Sequence, residues 1–217
     1  MSNQVNWVDH IINVLSVIIG VSLAFWVNDS AERSKKARDL EAIVVSFIDE
    51  LASDSATYVD YQIPLNIKQV EDIQAVIQFL AAKEYDSLIV YFESAIGLNN
   101  YDPTSTTFNS LSSSGKLELI EDFALKQAIN TYHTVDVQEA ELRGKFQIDF
   151  YINELLPWLM YNLDLTNPDM EKVDKVKLTN LLIVYAGIIE NKIKQYEYVA
   201  KEAGSLKAKL EAKGKSF

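Results

Sequence analysis

Residues 11–27 read IINVLSVIIGVSLAFWV, seventeen positions without a charge, with Asp9 and His10 before them and Asn28 and Asp29 after. At about 1.5 Å of rise per residue a helix of this run reaches about 25 Å, the short end of what crosses a hydrocarbon core. Trp7 and Trp26 stand at its two ends, where amphipathic indoles favour the membrane interface, and they are predicted to anchor it there. A cleaved signal peptide would need a basic start and a small-x-small site. The first ten residues hold no Lys or Arg and no such site precedes Asp29, so the expectation is a retained transmembrane helix.

Past Asn28 the pattern becomes amphipathic. Leu40, Ile43, Val44, Phe47, Ile48 and Leu51 recur at helical spacing, and no Gly or Pro falls from residue 21 to 63. One continuous rod is therefore predicted, ended by Pro64. Ile67, Val70, Ile73, Ile77 and Leu80 mark a second helix. Residues 88–96, LIVYFESAI, have the composition of a strand but lie among helical patterns and are assigned to a short helix. Residues 97–106, GLNNYDPTST, carry the turn chemistry of a loop. A short helix stopped by Gly115 follows, then a helical face of Phe123, Ala128, Ile129, Tyr132 and Val135. The pattern continues through Ile148, Ile152, Leu155, Leu159 and Leu163, with a kink or break expected at Pro157 and closure at Asn167 and Pro168. Finally Leu178, Leu182, Tyr185, Ile189, Ile193 and Tyr196 begin a stripe that runs on to Leu210 and suits a bundle or a coiled coil.

The predicted fold is all-α: an N-terminal tail and transmembrane helix in residues 1–28, continuing into a soluble antiparallel helical bundle in 29–217. Composition agrees, with 48% hydrophobic residues and only 7 Gly and 4 Pro in 217 positions, too few for a turn-rich β protein. The chain has no cysteine, which removes disulfides, thiolate catalysis and Cys-built zinc sites.

Charge adds a direction. Arg33, Lys35, Lys36 and Arg38 follow the span and no basic residue precedes it, so the positive-inside rule places the N-terminus outside and residues 29–217 in the cytoplasm. The net charge of −11 resides wholly beyond residue 39, and the tail 201–217 carries five Lys against two Glu. An acidic bundle repels phosphates, which argues against a nucleic-acid partner. The basic tail suits either a solvated helix end or contact with anionic headgroups.

Within the span, Asn13, Ser16, Gly20 and Ala24 fall on one face, and small residues so spaced let helices approach closely, so they form the candidate association surface of a homo-oligomer. The same side offers Asp9, Asn13, Ser16 and Gly20 as the lining of an alternative oligomeric channel. Signals for chemistry are few. His133 is expected on a partly exposed helix face, Ser113 and Lys116 match Ser-x-x-Lys without its companion motifs, and Gly115-Lys116 lacks the rest of a phosphate loop. Glu139 and Glu141 lie two apart on a helix and point to different faces. No cofactor or metal is expected.

Two stretches, residues 9–54 with IIGVSLAFWVNDSAERSKKARDLEAIVVSFIDELASD and 108–132 with FNSLSSSGKLELIEDFALKQAINTY, resemble a family of bacterial single-pass membrane proteins grouped as a domain of unknown function. The likeness rests on the Val-Ile-Gly run of residues 17–20, Asn28, the charged helix to Asp54, and Leu111 through Ser114 and Gly115 to Ile120. It implies a bacterial inner-membrane protein with an N-terminal membrane helix and a helical soluble domain, and no catalytic residue or ligand. Members often carry a basic segment before the membrane helix and a Trp soon after the Asn, and this chain has neither. The expected role is a non-enzymatic, membrane-anchored interaction or regulatory module, whose partners are the bilayer, a second copy and a protein that reads the acidic bundle.

Overall fold

The computed structural model describes residues 7–163 and 169–214, and every regular element among them is helical. The first is α1, Trp7–Ala56, which passes residue 28 without a break and runs through a wide-turned segment, Thr57–Gln62, into α2, Ile63–Ala82. Backbone angles stay right-handed helical at Ala56, Gln62 and Ile63. Pro64 therefore does not end the rod as its sequence predicts. It lies in the first turn of α2, just past a π segment in which the Ile63 N–H reaches back to Tyr58 O. A π turn inserts one residue and moves the carbonyl that the proline ring would otherwise strike. It also keeps the inner face in phase. The buried positions here step by four three times running, through Asp54, Tyr58, Gln62 and Asn66, and the wider turn is what holds all of them inward.

Pro157 is accommodated the same way. The segment Tyr151–Leu155 is π-helical, the Leu156 N–H bonds Tyr151 O, and α7, Leu156–Asn162, continues from α6, Val137–Phe150, so that of the expected kink or break the break does not occur. A third π segment, Tyr132–Asp136, joins α6 to α5, Phe123–Thr131. Asn167 and Pro168, predicted to close this element, lie outside the described residues; α7 ends at Asn162. The short helices α3, Tyr85–Ala95, and α4, Thr106–Ser114, flank the loop 97–105, both in agreement with the sequence pattern. Gly115 stops α4 with φ of 70°, the left-handed conformation that glycine enters without steric cost.

The last helix, α8, Lys175–Gly214, lies antiparallel along the rod for about 60 Å. Its stripe serves two hydrophobic cores in succession. Leu178, Leu182, Tyr185 and Ile189 pack with Ile73, Leu80 and Leu159 in the distal core. Tyr196, Leu206 and Leu210 pack with Phe47, Leu51 and Ile129 in the proximal core, the one nearer the apolar N-terminal helix.

Glycine positions in the bundle test this packing. Gly187, inside α8, has open space where a Cβ would go, so Gly187→Ala raises stability by about 0.5–1 kcal/mol through helix propensity. A Cβ on Gly144 of α6 would lie 2.1 Å from Asn100 Oδ1, which accepts a bond from the Tyr196 hydroxyl, so Gly144→Ala lowers stability by about 1 kcal/mol or more. Denaturant midpoints of the two variants against the parent check both signs.

Candidate functional site

The predicted membrane segment stands clear of the bundle. Every residue from 11 to 27 is exposed, and Ile11 begins a helix long and apolar enough to cross a membrane. Trp7 and Trp26 are 75% and 68% exposed. Asn13, Ser16, Gly20 and Ala24 share an uncovered face, and nothing lies within 4 Å of a Cβ placed on Gly20. Asp9 is part of α1, but its side chain is outside the described set. Past the span, Arg33 pairs with Asp29 at 2.8 Å and Lys36 with Glu32 at 3.4 Å, both one turn back along α1 and both exposed. Lys35 and Arg38 are exposed beside them.

The second concentration of polar groups was not foreseen. Between the two cores runs the loop 97–105, and buried backbone groups must find partners. Side chains from three helices supply them, and a fourth helix braces two of those side chains. Gly97 O accepts bonds from the Tyr185 hydroxyl and Gln69 Nε2, each at 2.6 Å, and Asn99 O accepts one from Lys192 Nζ. The Tyr101 N–H donates to the Tyr196 hydroxyl at 3.3 Å, and Asp54 Oδ1 accepts from the Tyr101 hydroxyl at 2.7 Å and the Thr104 N–H at 3.2 Å. Glu50 Oε2 accepts the Thr107 N–H at 3.0 Å and so caps α4 from another helix. Gln147 completes the belt, donating to Tyr185 at 2.9 Å and accepting from Lys192.

Lys192 is wholly buried, and among the described residues its acceptors are neutral oxygens, with the Tyr196 ring 5.6 Å away. Burial lowers its pKa to about 7. Burial likewise raises Asp54, against the opposing effect of its bonds from Tyr101 and Thr104. Both residues carried a signal: Lys192 and Asp54 interrupt apolar stripes, at three residues past Ile189 and past Leu51.

His133 departs from its predicted exposure. It is 4% exposed, stacked on Phe108 at 4.7 Å and edge-on to Tyr132 at 4.9 Å, and Ser105 Oγ is 3.3 Å from Nδ1. Burial lowers its pKa to about 4, so the ring is neutral near pH 7. No carboxylate reaches the imidazole among the described residues, which leaves it without the orienting partner of a catalytic base. Ser113 and Ser114 donate to Ser110 O at the end of α4, a helix-closing use of both hydroxyls, and Lys116 is exposed. Glu139 pairs with Arg143, whereas Glu141 is raised by burial and by Asp102. Among the described residues no group of three His, Cys, Asp or Glu could hold a metal.

No family model, curated protein or solved structure matches the chain.

Two pH profiles follow from the buried basic side chains Lys192 and His133. An unfolded lysine titrates near 10.4, so from about pH 7 to 10.4 the unfolded chain holds a proton that folded Lys192 has lost, and stability rises with pH across that window. In Lys192→Met this share of the rise disappears, measured as the difference in unfolding free energy between pH 7 and 9.5. For His133 the window is acid. Between about pH 6.5 and 4 the unfolded imidazole is protonated and the folded one is not, so its contribution is lost as pH falls through that range. His133→Phe flattens the acid limb there, which denaturation at pH 7, 5.5 and 4.5 reads directly.

Proposed function

We propose that the chain is a single-pass protein of the bacterial inner membrane whose cytoplasmic bundle acts as a non-enzymatic interaction or regulatory module. The observation that carries this reading is the apolar half of α1. Residues 11–27 are strongly apolar, all exposed, and built on the same rod that supplies the cores of the bundle. A continuous apolar surface of that extent marks contact with lipid or with another protein. The basic residues Arg33, Lys35, Lys36 and Arg38 support the cytoplasmic side. Enclosure of His133 and the capping use of Ser113 and Ser114 support a role without catalysis. Self-association runs through Asn13, Ser16, Gly20 and Ala24, where Gly20 leaves room for close approach.

Light scattering of the full-length protein in non-ionic detergent, beside Gly20→Leu, tests the assembly. A defined oligomer that falls to a monomer in the variant supports the stripe. A parent already monomeric removes it, and a parent that stays monodisperse without detergent removes the membrane anchor itself.

A further inference from the structure

At the end of the bundle nearest the apolar helix, α8 returns to the start of the soluble domain. Leu210 is buried in the proximal core, and Lys213 pairs with Asp122 at 2.7 Å. Beside that pair a cleft of about 650 Å³ opens between α1 and the segment leading into α5. Its floor is apolar, made by Leu40, Val44, Ile120 and Leu125. Its two sides differ in charge: α1 contributes Arg33 and Lys36, and the facing segment contributes Glu118, Glu121 and Asp122.

Two of these charges are committed, and the three that are available decide the fit. Glu118 is held by Lys126 at 2.7 Å, and Asp122 by Lys213 and by the Leu125 N–H that it caps. Glu121 is exposed and has no cation among the described residues. Arg33 and Lys36 are held only by solvated pairs along their own helix, which exchange readily for a better-placed anion. The cleft thus offers two available cations, one available carboxylate and an apolar floor. By helical rise Arg33 lies about 9 Å and Lys36 about 14 Å past Val27, against a headgroup layer about 5–7 Å deep, and long basic side chains extend back toward such a layer.

We propose that this cleft binds the headgroup of a zwitterionic phospholipid with a primary amine, its phosphate between Arg33 and Lys36 and its ammonium on Glu121. The proposal rests on the membrane-anchored reading above. An anionic glycerol headgroup carries the same phosphate charge with no ammonium to set against Glu121, and so leaves the acidic side unpaired. A quaternary ammonium would lack the aromatic ring that usually receives it, since none lines the cleft among the described residues, and it could not donate a hydrogen bond to Glu121.

The test is native mass spectrometry of the full-length protein in non-ionic detergent with equal amounts of phosphatidylethanolamine, phosphatidylcholine and phosphatidylglycerol. The expected result is several-fold retention of phosphatidylethanolamine over the other two. Glu121→Gln abolishes its advantage over phosphatidylcholine, and Arg33→Gln with Lys36→Gln abolishes retention of both; all three positions are exposed, so the fold survives. Equal or greater retention of phosphatidylglycerol overturns the headgroup assignment, and retention unchanged in the variants overturns the site. Absence of bound lipid from a protein that still requires detergent overturns the cleft and leaves the anchor standing. A parent that is monodisperse in plain buffer overturns the anchor, and the cleft with it.

Discussion

Backbone N–H and C=O groups turned away from water must be paired, and in this bundle that requirement falls on the half-buried loop 97–105. The loop passes between two hydrophobic cores, and the price is met by side chains drawn from α1, α2 and α8, with Gln147 of α6 bracing Tyr185 and Lys192. Each partner also fixes its own helix. Asp54 and Glu50 hold α1 against the loop and α4, Gln69 holds α2, and Lys192, Tyr185 and Tyr196 hold α8. Apolar packing alone would let these helices slide along one another, because a stripe of Leu and Ile accepts neighbouring registers at similar cost. Hydrogen bonds to particular carbonyls do not, since a shift of one turn would strand an ammonium or a carboxylate in the interior.

That division explains what the sequence made legible. The uncharged run of residues 11–27, the stripes on α1, α2 and α8, the loop after Ile96 and the stop at Gly115 were all visible as periodicity or turn chemistry, which are local properties. The polar belt was not, because it joins positions such as Asn99 and Lys192 that lie 93 residues apart. Only its buried members left a trace, as polar residues on otherwise apolar faces. The exposure predicted for His133 failed for a related reason: it has Tyr132 beside it on the helix, but the Phe108 that encloses it belongs to another element.

The two prolines show a different limit. The steric rule that a proline ring meets the carbonyl four residues back predicts an end at Pro64 and a kink or break at Pro157. The rule assumes an α-helical turn before the proline. In each case a π segment precedes it, and the inserted residue both clears the ring and corrects the phase of the buried face. Hydrophobic spacing did not record this at the first site, because three of the four positions that step by four, Asp54, Gln62 and Asn66, are polar.

Because Pro64 does not interrupt it, one helix reaches from Trp7 to Ala82 with no hinge of irregular backbone along its length. Over the part beyond Val27 it acts as a lever about 80 Å long, so a tilt of about ten degrees at its apolar end sweeps the tip of the bundle through about 14 Å. Rotation about the helix axis passes along the same shaft. Tilt and torque arising at one end therefore arrive at the other as motion of the whole bundle, with α8 carried along as a strut clamped to the shaft.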